Sequence, residues 1–295
     1  MELFIDQVLN GIGRGAVYAS VGLALVLIYR TTGLLNFAQG EMALFSTFVT
    51  WWLTDQGLDI VPAIVVSAAL AFVGGAVIER LLIRPVESTH NPLNVVIVTL
   101  GLFLAFNALA QLLFIKPGRE ALRMPSPFPE GEFAGISKET IGLVLVLVLE
   151  CVLLWVLLQR TKVGLALRAT ASNSESARLV GINTGTMLMV GWGLAAALGA
   201  VAGSLVASQS TGFDTSLMQG ILVYSFAGAA LGGFDSPIGA VVGGLVVGVA
   251  ESLTYQYGHY LGLEGIELVV PMGLILVVLL VKPNGLFGRT IVERV

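Results

Sequence analysis

The chain of 295 residues is poor in charge, cysteine and histidine. Only 12% of its residues are charged, against about a quarter in a soluble domain, whereas 56% are hydrophobic. This composition indicates an integral membrane protein, and no basic stripe of the kind that binds nucleic acid is present. The single cysteine, Cys151, excludes a disulfide framework and a cysteine-based metal site. The two histidines, His90 and His259, are far apart in sequence, so we expect neither a metal site nor a cofactor.

Sequence motifs for ATP binding and for catalysis are also missing. Glycine is never followed by lysine, so the phosphate-binding loop G-x-x-x-x-G-K-[ST] is absent and the chain cannot bind ATP by that route. The patterns H-E-x-x-H and G-x-S-x-G are absent, as are an arginine-rich span and a TVGYG filter. These absences argue against a hydrolase, a voltage sensor and a potassium channel. They favour a pathway protein that does not supply its own energy.

The apolar residues form runs that are long enough to cross a bilayer. A helix needs about 20 apolar residues to span the hydrocarbon core. The predicted fold is therefore all-α and polytopic, with about eight or nine transmembrane helices, several short or broken, in a single domain over residues 1–295. The predicted spans are 8–29, 40–54, 61–82, 93–115, 140–159, 186–208, 219–234, 237–257 and 266–282. Glycine pairs four residues apart predict close helix packing at Gly11/Gly15, Gly199/Gly203, Gly239/Gly243 and Gly244/Gly248.

The distribution of lysine and arginine orients the chain in the membrane. Placing the loop of residues 160–185 inside puts ten lysines and arginines in the cytoplasm and five outside, in agreement with the positive-inside rule. The C-terminus is then cytoplasmic, and the N-terminus is external with nine crossings or internal with eight. The loop of residues 116–139 is the longest external connection, and its four prolines exclude a helix through its middle. It is either a docking surface for a soluble external partner or a plain linker.

A short helix is predicted on the basic loop of residues 160–185. Ser172 and Glu175 have the S-x-x-E spacing of a capping box at its start, and Gly181 provides a stop at its end. We expect a membrane protein that builds a capped helix on a cytoplasmic loop to present that helix to a partner protein.

Two polar interruptions of the apolar runs are similar to each other. Residues 31–41 contain Thr-Gly followed by Gln-Gly, and residues 211–220 repeat both pairs at nearly the same spacing. The preceding spans run in opposite directions, as an inverted repeat requires, although chance explains so short a match equally well. Transporters of this construction bind substrate at broken helices, so Asn36, Gln39 and Glu41 are candidates to line a translocation path. The alternative for Glu41 is a structural role at the next helix N-terminus, where a carboxylate suits the helix dipole.

Two further carboxylates, Glu150 and Glu251, lie inside predicted spans. A carboxylate within the membrane is expensive and is a functional candidate by default. Hydrogen bonding between helices is an equally good explanation for both residues.

Several motifs together resemble one family of transporters. Residues 33–41, GLLNFAQGE, resemble the G-x-x-N-F-A-[HQ]-G signature of ABC importer permeases for branched-chain amino acids. Residues 281–288, VKPNGLFG, are similar to the R-P-x-G-L-F-G terminus of that family, with Lys282 in the arginine position. Residues 228–244 resemble its G-G-x-G-S-x-x-G-A segment with a different middle, and residues 164–177 match its cytoplasmic loop. The resemblance extends over nearly the whole chain.

The resemblance implies a set of partners and the residues that contact them. Importer permeases carry an E-A-A-x-x-x-G coupling motif in a cytoplasmic loop, and residues 175–181, ESARLVG, fit it with Ser176 for the middle alanine. The implied ATPase-coupling residues are Glu175, Ala177 and Gly181. The implied partners are a second homologous permease subunit, two cytoplasmic ATP-binding subunits, an external or periplasmic substrate-binding protein and membrane lipid. The implied location is the cytoplasmic (inner) membrane of a prokaryote.

The function that the resemblance implies is import, without enzymatic catalysis by the chain itself. The implied cargo is leucine, isoleucine or valine, driven by ATP hydrolysis in partner subunits. Close relatives of the family carry urea, short amides or other amino acids, and nothing in the residues selects among these cargoes. Two other functions stay open on the residues alone, namely an ion- or proton-coupled secondary transporter and a passive channel for a small neutral solute.

Overall fold

The structure is a computed structural model that describes residues 2–87, 92–116, 121–261 and 269–288. It is built almost entirely of helices. The α-helices are α1 (Glu2–Thr32), α2 (Gln39–Asp55), α3 (Ile60–Ile78), α4 (Arg84–Glu87), α5 (Pro92–Phe114), α6 (Lys138–Arg160), α7 (Lys162–Ser172), α8 (Ser174–Leu179), α9 (Thr184–Gln209), α10 (Leu217–Gly232), α11 (Pro237–Tyr257) and α12 (Val269–Val281). A π-helical turn, Glu79–Ile83, joins α3 to α4, and a 3-10 turn, Gly258–Leu261, follows α11.

A helix occupies every span that the sequence predicts, and the prediction of an all-α polytopic membrane protein is confirmed. By length and composition, six described helices suffice to cross a membrane: Leu3–Thr32, Ile60–Glu87, Leu93–Phe114, Lys138–Arg160, Thr184–Gln209 and Pro237–Tyr257. Helix α10 and the segment Met272–Val281 of α12 are apolar but shorter. Residues 266–268 of the last predicted span and residues 117–120 of the predicted external loop lie outside the described residues.

Local sequence explains where the long helices begin and end. Helix α1 ends at Gly33, which has a φ of 72° that a residue with a side chain rarely adopts. Helix α11 begins with Pro237 in its first turn, and the side chain of Ser236 caps it by accepting a hydrogen bond from the Gly239 amide at 3.0 Å. Residues 233–236, between α10 and α11, therefore form a helix boundary.

The described residues group into two compact units. Unit 1 comprises Met1–Val26, Phe128–Leu147 and Ile221–Val295, and unit 2 comprises Leu27–Pro127 and Val148–Gly220. Each unit has its own packed helices.

In unit 1, α1 packs antiparallel against α11 through glycines. A Cβ atom on Gly11 would lie 2.6 Å from the Cα of Val249, and one on Gly15 would lie 2.7 Å from the Cα of Leu245. Because no side chain fits between the backbones, these positions require glycine for the helices to approach closely. The close packing predicted from the glycine spacing is confirmed here.

Glu251 of α11 accepts hydrogen bonds from two residues of α1 inside unit 1. Its Oε1 accepts a hydrogen bond from Arg14 Nη1 at 3.1 Å, and its Oε2 accepts one from the Tyr18 hydroxyl at 2.6 Å. The ring of Tyr18 stacks on that of Tyr224, with centroids 5.1 Å apart. A carboxylate within a span is tolerated when it is paired, so the contacts of Glu251 favour the structural alternative left open by the sequence.

The core of unit 2 consists of α2, α3 and α9. A Cβ atom on Gly75 of α3 would lie 2.6 Å from the carbonyl oxygen of Trp192 in α9, so these two backbones also touch. The hydroxyls of Thr50 in α2 and Ser204 in α9 are 2.9 Å apart and share a hydrogen bond. These contacts hold the three helices together through small and hydroxylated side chains, as is common in membranes.

The proline-rich segment before α6 folds as a small hairpin. Strand β1 (Glu132–Phe133) pairs antiparallel with β2 (Ile136–Ser137) through a turn at Ala134 and Gly135, whose φ values are 53° and 77°. Between residues 121 and 131 no helix forms, as the prolines predict.

Candidate functional site

The basic segment of residues 160–185 contains two helices, where the sequence analysis predicted one. Helix α7 begins at Lys162, and the Thr161 side chain caps it by accepting a hydrogen bond from the Gly164 amide at 3.0 Å. Helix α8 follows after the single residue Asn173. The predicted short helix exists, and a second helix precedes it.

The predicted capping box of Ser172 and Glu175 is wrong. Ser172 is the last residue of α7, and the cap of α8 is Asn173, whose Oδ1 accepts a hydrogen bond from the Ser176 amide at 2.8 Å. Asn173 has extended backbone angles, φ −156° and ψ 102°, which place its side chain over the open amides of the first turn. Glu175 is in that turn and is exposed to solvent.

The predicted stop at Gly181 is confirmed. Gly181 has a φ of 84°, and its amide donates to the Arg178 carbonyl at 3.0 Å while the next amide, of Ile182, donates to the Ala177 carbonyl at 3.0 Å. This pair of bonds is a Schellman motif, which ends a helix at a left-handed glycine. The motif turns the chain sharply and leaves the last residues of α8 at the surface.

The end of α8 presents two apolar side chains to solvent. Leu179 is 88% exposed and Val180 is 77% exposed, whereas Ala177 is only 3% exposed and faces the protein. These two adjacent aliphatic residues, flanked by the charged residues Glu175 and Arg178, make the end of α8 a candidate docking surface. Of the three predicted coupling residues, Glu175 and Gly181 therefore lie at the surface and Ala177 beneath it.

The three candidate path residues are buried at the start of α2. Asn36 is 1% exposed, and its Oδ1 accepts a hydrogen bond from the Ala38 amide at 3.0 Å. Gln39 is 0% exposed, and its Nε2 donates to the carbonyl of Ala195 in α9 at 3.0 Å. Glu41, at 1% exposure, occupies the first turn of α2. In this conformation protein covers all three side chains, and their role in a path stays a prediction.

Asn107 of α5 is a further residue of this cluster that the sequence analysis missed. Its Nδ2 donates to Glu41 Oε2 at 3.0 Å and to the Thr215 carbonyl at 3.0 Å. Asn107 thus joins the two polar interruptions that the sequence suggested as a repeat. An asparagine in the middle of the apolar run of residues 93–115 was the signal that could have revealed it.

An apolar cavity of about 130 Å³ lies beside this cluster. Met42, whose sulfur is 3.6 Å from Asn36 Nδ2, is one of its lining residues. The other side chains come from four helices and are mostly apolar, among them Phe45, Leu70, Phe106 and Ala196. Among the described residues, no group of three or more His, Cys, Asp or Glu side chains could hold a metal ion.

Comparisons with known proteins agree on one family. Residues 7–279 match the family described as "Branched-chain amino acid transport system / permease component". Over 99% of its length the chain is 31% identical to 98% of the high-affinity branched-chain amino acid transport system permease protein LivH of Escherichia coli K12. It is 29% identical to 98% of the corresponding protein BraD of Pseudomonas aeruginosa, again over 99% of its own length. A probable LivH of Methanocaldococcus jannaschii is 27% identical over 91% of the chain and 87% of the relative. No solved structure matches the chain.

Proposed function

Because the chain belongs to the branched-chain amino acid transport system permease family, we propose that it is the membrane-spanning subunit of an ABC importer for branched-chain amino acids. All 295 residues would form one permease domain, without enzymatic activity of its own. ATP hydrolysis in partner subunits would drive leucine, isoleucine or valine across the cytoplasmic membrane.

The observation that carries this proposal is the shape of α8. The segment of residues 160–185 contains four basic residues and includes the six-residue helix α8, which is capped at both ends. The end of this helix exposes Leu179 and Val180 to solvent. A partner that buries these side chains would gain free energy, because fully burying a large aliphatic side chain contributes about 1.5–3 kcal/mol. A cytoplasmic ATP-binding subunit is the partner that the family supplies, with Glu175 and Gly181 at the edges of the contact.

The complete assembly would contain a second homologous permease, two ATP-binding subunits and an external or periplasmic binding protein. The charge distribution supports a cytoplasmic C-terminus, and with that orientation α8 would lie on the same side of the membrane as the ATP-binding subunits. Lipid would cover the remaining apolar helices, which expose large aliphatic residues such as Leu104 and Leu112.

The cargo is the least constrained part of the proposal. The apolar cavity beside Met42 suits an aliphatic side chain. Asn36, Gln39 and Glu41 carry donors and acceptors for an amino and a carboxylate group, and they would have to become accessible during transport, because protein covers them in this conformation. This arrangement supports a branched-chain amino acid over urea or a short amide, which has no aliphatic side chain to bury.

The test is ATP-dependent uptake of radiolabelled leucine by vesicles that contain the whole assembly. Leu179→Asp is expected to abolish both uptake and co-purification of the ATP-binding subunits, because the charge would have to be buried in the contact. The matched control is Leu58→Asp, which changes another exposed leucine, 38% accessible, in the connection between α2 and α3.

Three outcomes would contradict the proposal. Uptake by the chain alone along an ion gradient would identify a secondary transporter. Downhill flux without ATP would identify a channel. Normal uptake and normal binding of ATPase subunits by the Leu179→Asp variant would remove α8 as the docking site.

A further inference from the structure

The end of α3 contains an irregular turn built around an ion pair between a buried carboxylate, Glu79, and a half-buried guanidinium, Arg84. Glu79 opens the π-helical turn Glu79–Ile83 and is 0% exposed. Its carboxylate accepts two hydrogen bonds from one guanidinium, from Arg84 Nε at 3.1 Å and from Arg84 Nη2 at 2.7 Å. Such a two-pronged contact fixes both side chains in one geometry. π-Helical turns are rare and are frequent at functional sites, so this turn requires an explanation.

Arg84 also links this turn to the beginning of α9 by a hydrogen bond. Its Nη2 donates a third hydrogen bond, to the carbonyl oxygen of Gly185, at 2.6 Å. A Cβ atom at Gly185 would lie only 2.9 Å from Arg84 Cζ. The guanidinium therefore packs directly against the backbone of Gly185, and the contact depends on glycine at this position.

The same end of α9 is attached to the docking helix α8. Arg178 of α8 donates from Nε to the Thr184 hydroxyl at 2.8 Å, and Thr184 is the residue before Gly185. The charges of Arg178 and Glu87, which lies in α4, also attract each other. An unbroken series of contacts thus leads from α8 through the first residues of α9 to Arg84 and Glu79.

Helix α3 in turn contacts the helices that carry the candidate path residues. Gly75, four residues before Glu79, touches the backbone of α9 at Trp192. Ser67 donates from its hydroxyl to the Ser46 carbonyl of α2 at 2.7 Å. Helix α2 begins with Gln39 and Glu41, so a displacement of α3 reaches the start of α2.

We propose that Glu79 and Arg84 are positioning residues that transmit the movement of α8 to α3 during transport. This inference rests on the proposed importer function and deepens it. The pair is suited to this role because separating the two side chains would leave the buried Glu79 carboxylate unpaired. The π-helical turn directly follows α3, so the transmitted movement would reach α3 through this turn.

The purely structural explanation predicts a different experimental pattern. If the pair only stabilises the fold, its variants lose ATP hydrolysis and uptake in proportion to the assembled complex. If it transmits movement, the variants still assemble and hydrolyse ATP but transport fewer cargo molecules per ATP. The ratio of leucine imported to ATP hydrolysed by the reconstituted complex therefore separates the two explanations.

Arg84→Lys is the first variant to measure. Lysine keeps the positive charge next to Glu79 but lacks the planar fork that reaches both carboxylate oxygens and the Gly185 carbonyl. We expect the transport-to-hydrolysis ratio to fall by about tenfold, within the range of ordinary allosteric coupling. Arg80→Lys is the matched control, because Arg80 is an exposed arginine of the same turn, and we expect it to keep the wild-type ratio.

A second variant protects the test against misfolding. Glu79→Met combined with Arg84→Met removes both charges together, so that no buried group is left unpaired. We expect this double variant to assemble and to hydrolyse ATP with the same low ratio as Arg84→Lys. Combining Arg84→Lys with Arg178→Ala should lower the ratio no further than the stronger single change does, because contacts in series are not additive.

Several results would overturn the inference. A wild-type ratio in Arg84→Lys or in the double methionine variant would show that the pair transmits nothing. A parallel loss of hydrolysis and uptake, matched by a loss of assembled complex, would leave it a structural pair only. Absence of ATP-dependent uptake by the wild-type complex would instead refute the proposed importer function, so the two failures are distinguishable.

Discussion

The sharpest single prediction concerns Gly181, which ends α8 with a φ of 84°. For a residue with a Cβ atom, this left-handed conformation is unfavourable by roughly 1–2 kcal/mol. No atom lies within 4 Å of the Cβ position, so a substitution at Gly181 introduces backbone strain without a steric clash. We therefore expect Gly181→Val to weaken the end of α8 and to reduce ATP-dependent uptake.

The size of the effect follows from the shortness of α8. Helices below about 12–15 residues are marginal on their own, and α8 has six. A loss of one or two kcal/mol changes the ratio of folded to unfolded forms by roughly 5–30-fold. Uptake by Gly181→Val should fall by a similar factor if docking needs the intact helix. Gly181→Asn should retain most of it, because asparagine tolerates the left-handed region.

Gly57 provides a matched control for the strain itself. It has a φ of 94° and also has no atom within 4 Å of its Cβ position, but it lies in the connection between α2 and α3. Gly57→Val should cost similar backbone strain while leaving uptake and ATPase binding near the wild-type level. Equal losses in the two valine variants, or full uptake by Gly181→Val, would refute the assignment of Gly181 to the docking surface.

Three other changes test neighbouring parts of the argument. Asn173→Ala removes the cap of α8 and should lower its stability by about 0.5–2 kcal/mol. This variant should weaken co-purification of the ATPase subunits, whereas Ser172→Ala should not. The reverse result would support the predicted capping box instead. Gly74 lines the apolar cavity, and a Cβ atom added there meets open space. Gly74→Leu should therefore reduce leucine uptake, whereas Gly101→Leu, at a position whose Cβ also meets open space, should not. Equal uptake by the two variants would exclude the cavity from cargo binding. Glu251→Ala leaves a buried tyrosine hydroxyl without its acceptor and should lower the unfolding free energy in detergent by about 1–3 kcal/mol; an unchanged value would contradict the pairing.

Features that depend on neighbouring residues could be predicted from the sequence. The spans followed from the apolar runs, and the end of α8 followed from Gly181, because a left-handed glycine acts on its own turn. The start of α8 was mispredicted because Ser172 and Asn173 are both capping residues. Only the backbone decides between them, and α7 continues through Ser172 and leaves Asn173 extended.

Contacts between residues distant in sequence could not be predicted in this way. Asn107 bonds Glu41 across 66 positions, and Arg84 bonds Gly185 across 101. Asn107 is a polar residue within an apolar run, and Arg84 is one of several charged residues after another such run. Their partners emerge only when α5 and α3 are placed against α2 and α9, which is a property of the tertiary packing.

Helix α9 contacts both the proposed docking helix α8 and the candidate path residue Gln39. Gly185 holds Arg84 at the start of the helix, and the Ala195 carbonyl accepts the hydrogen bond from Gln39 about 15 Å further along it. No proline interrupts the helix, so under the proposed coupling a displacement that begins at α8 would move both contacts together. The start of α2 would then receive the movement directly through Gln39 and indirectly through α3. Because these routes are parallel, loss of the Glu79–Arg84 pair alone should weaken the link between ATP hydrolysis and transport, while the direct route through Gln39 preserves the remainder.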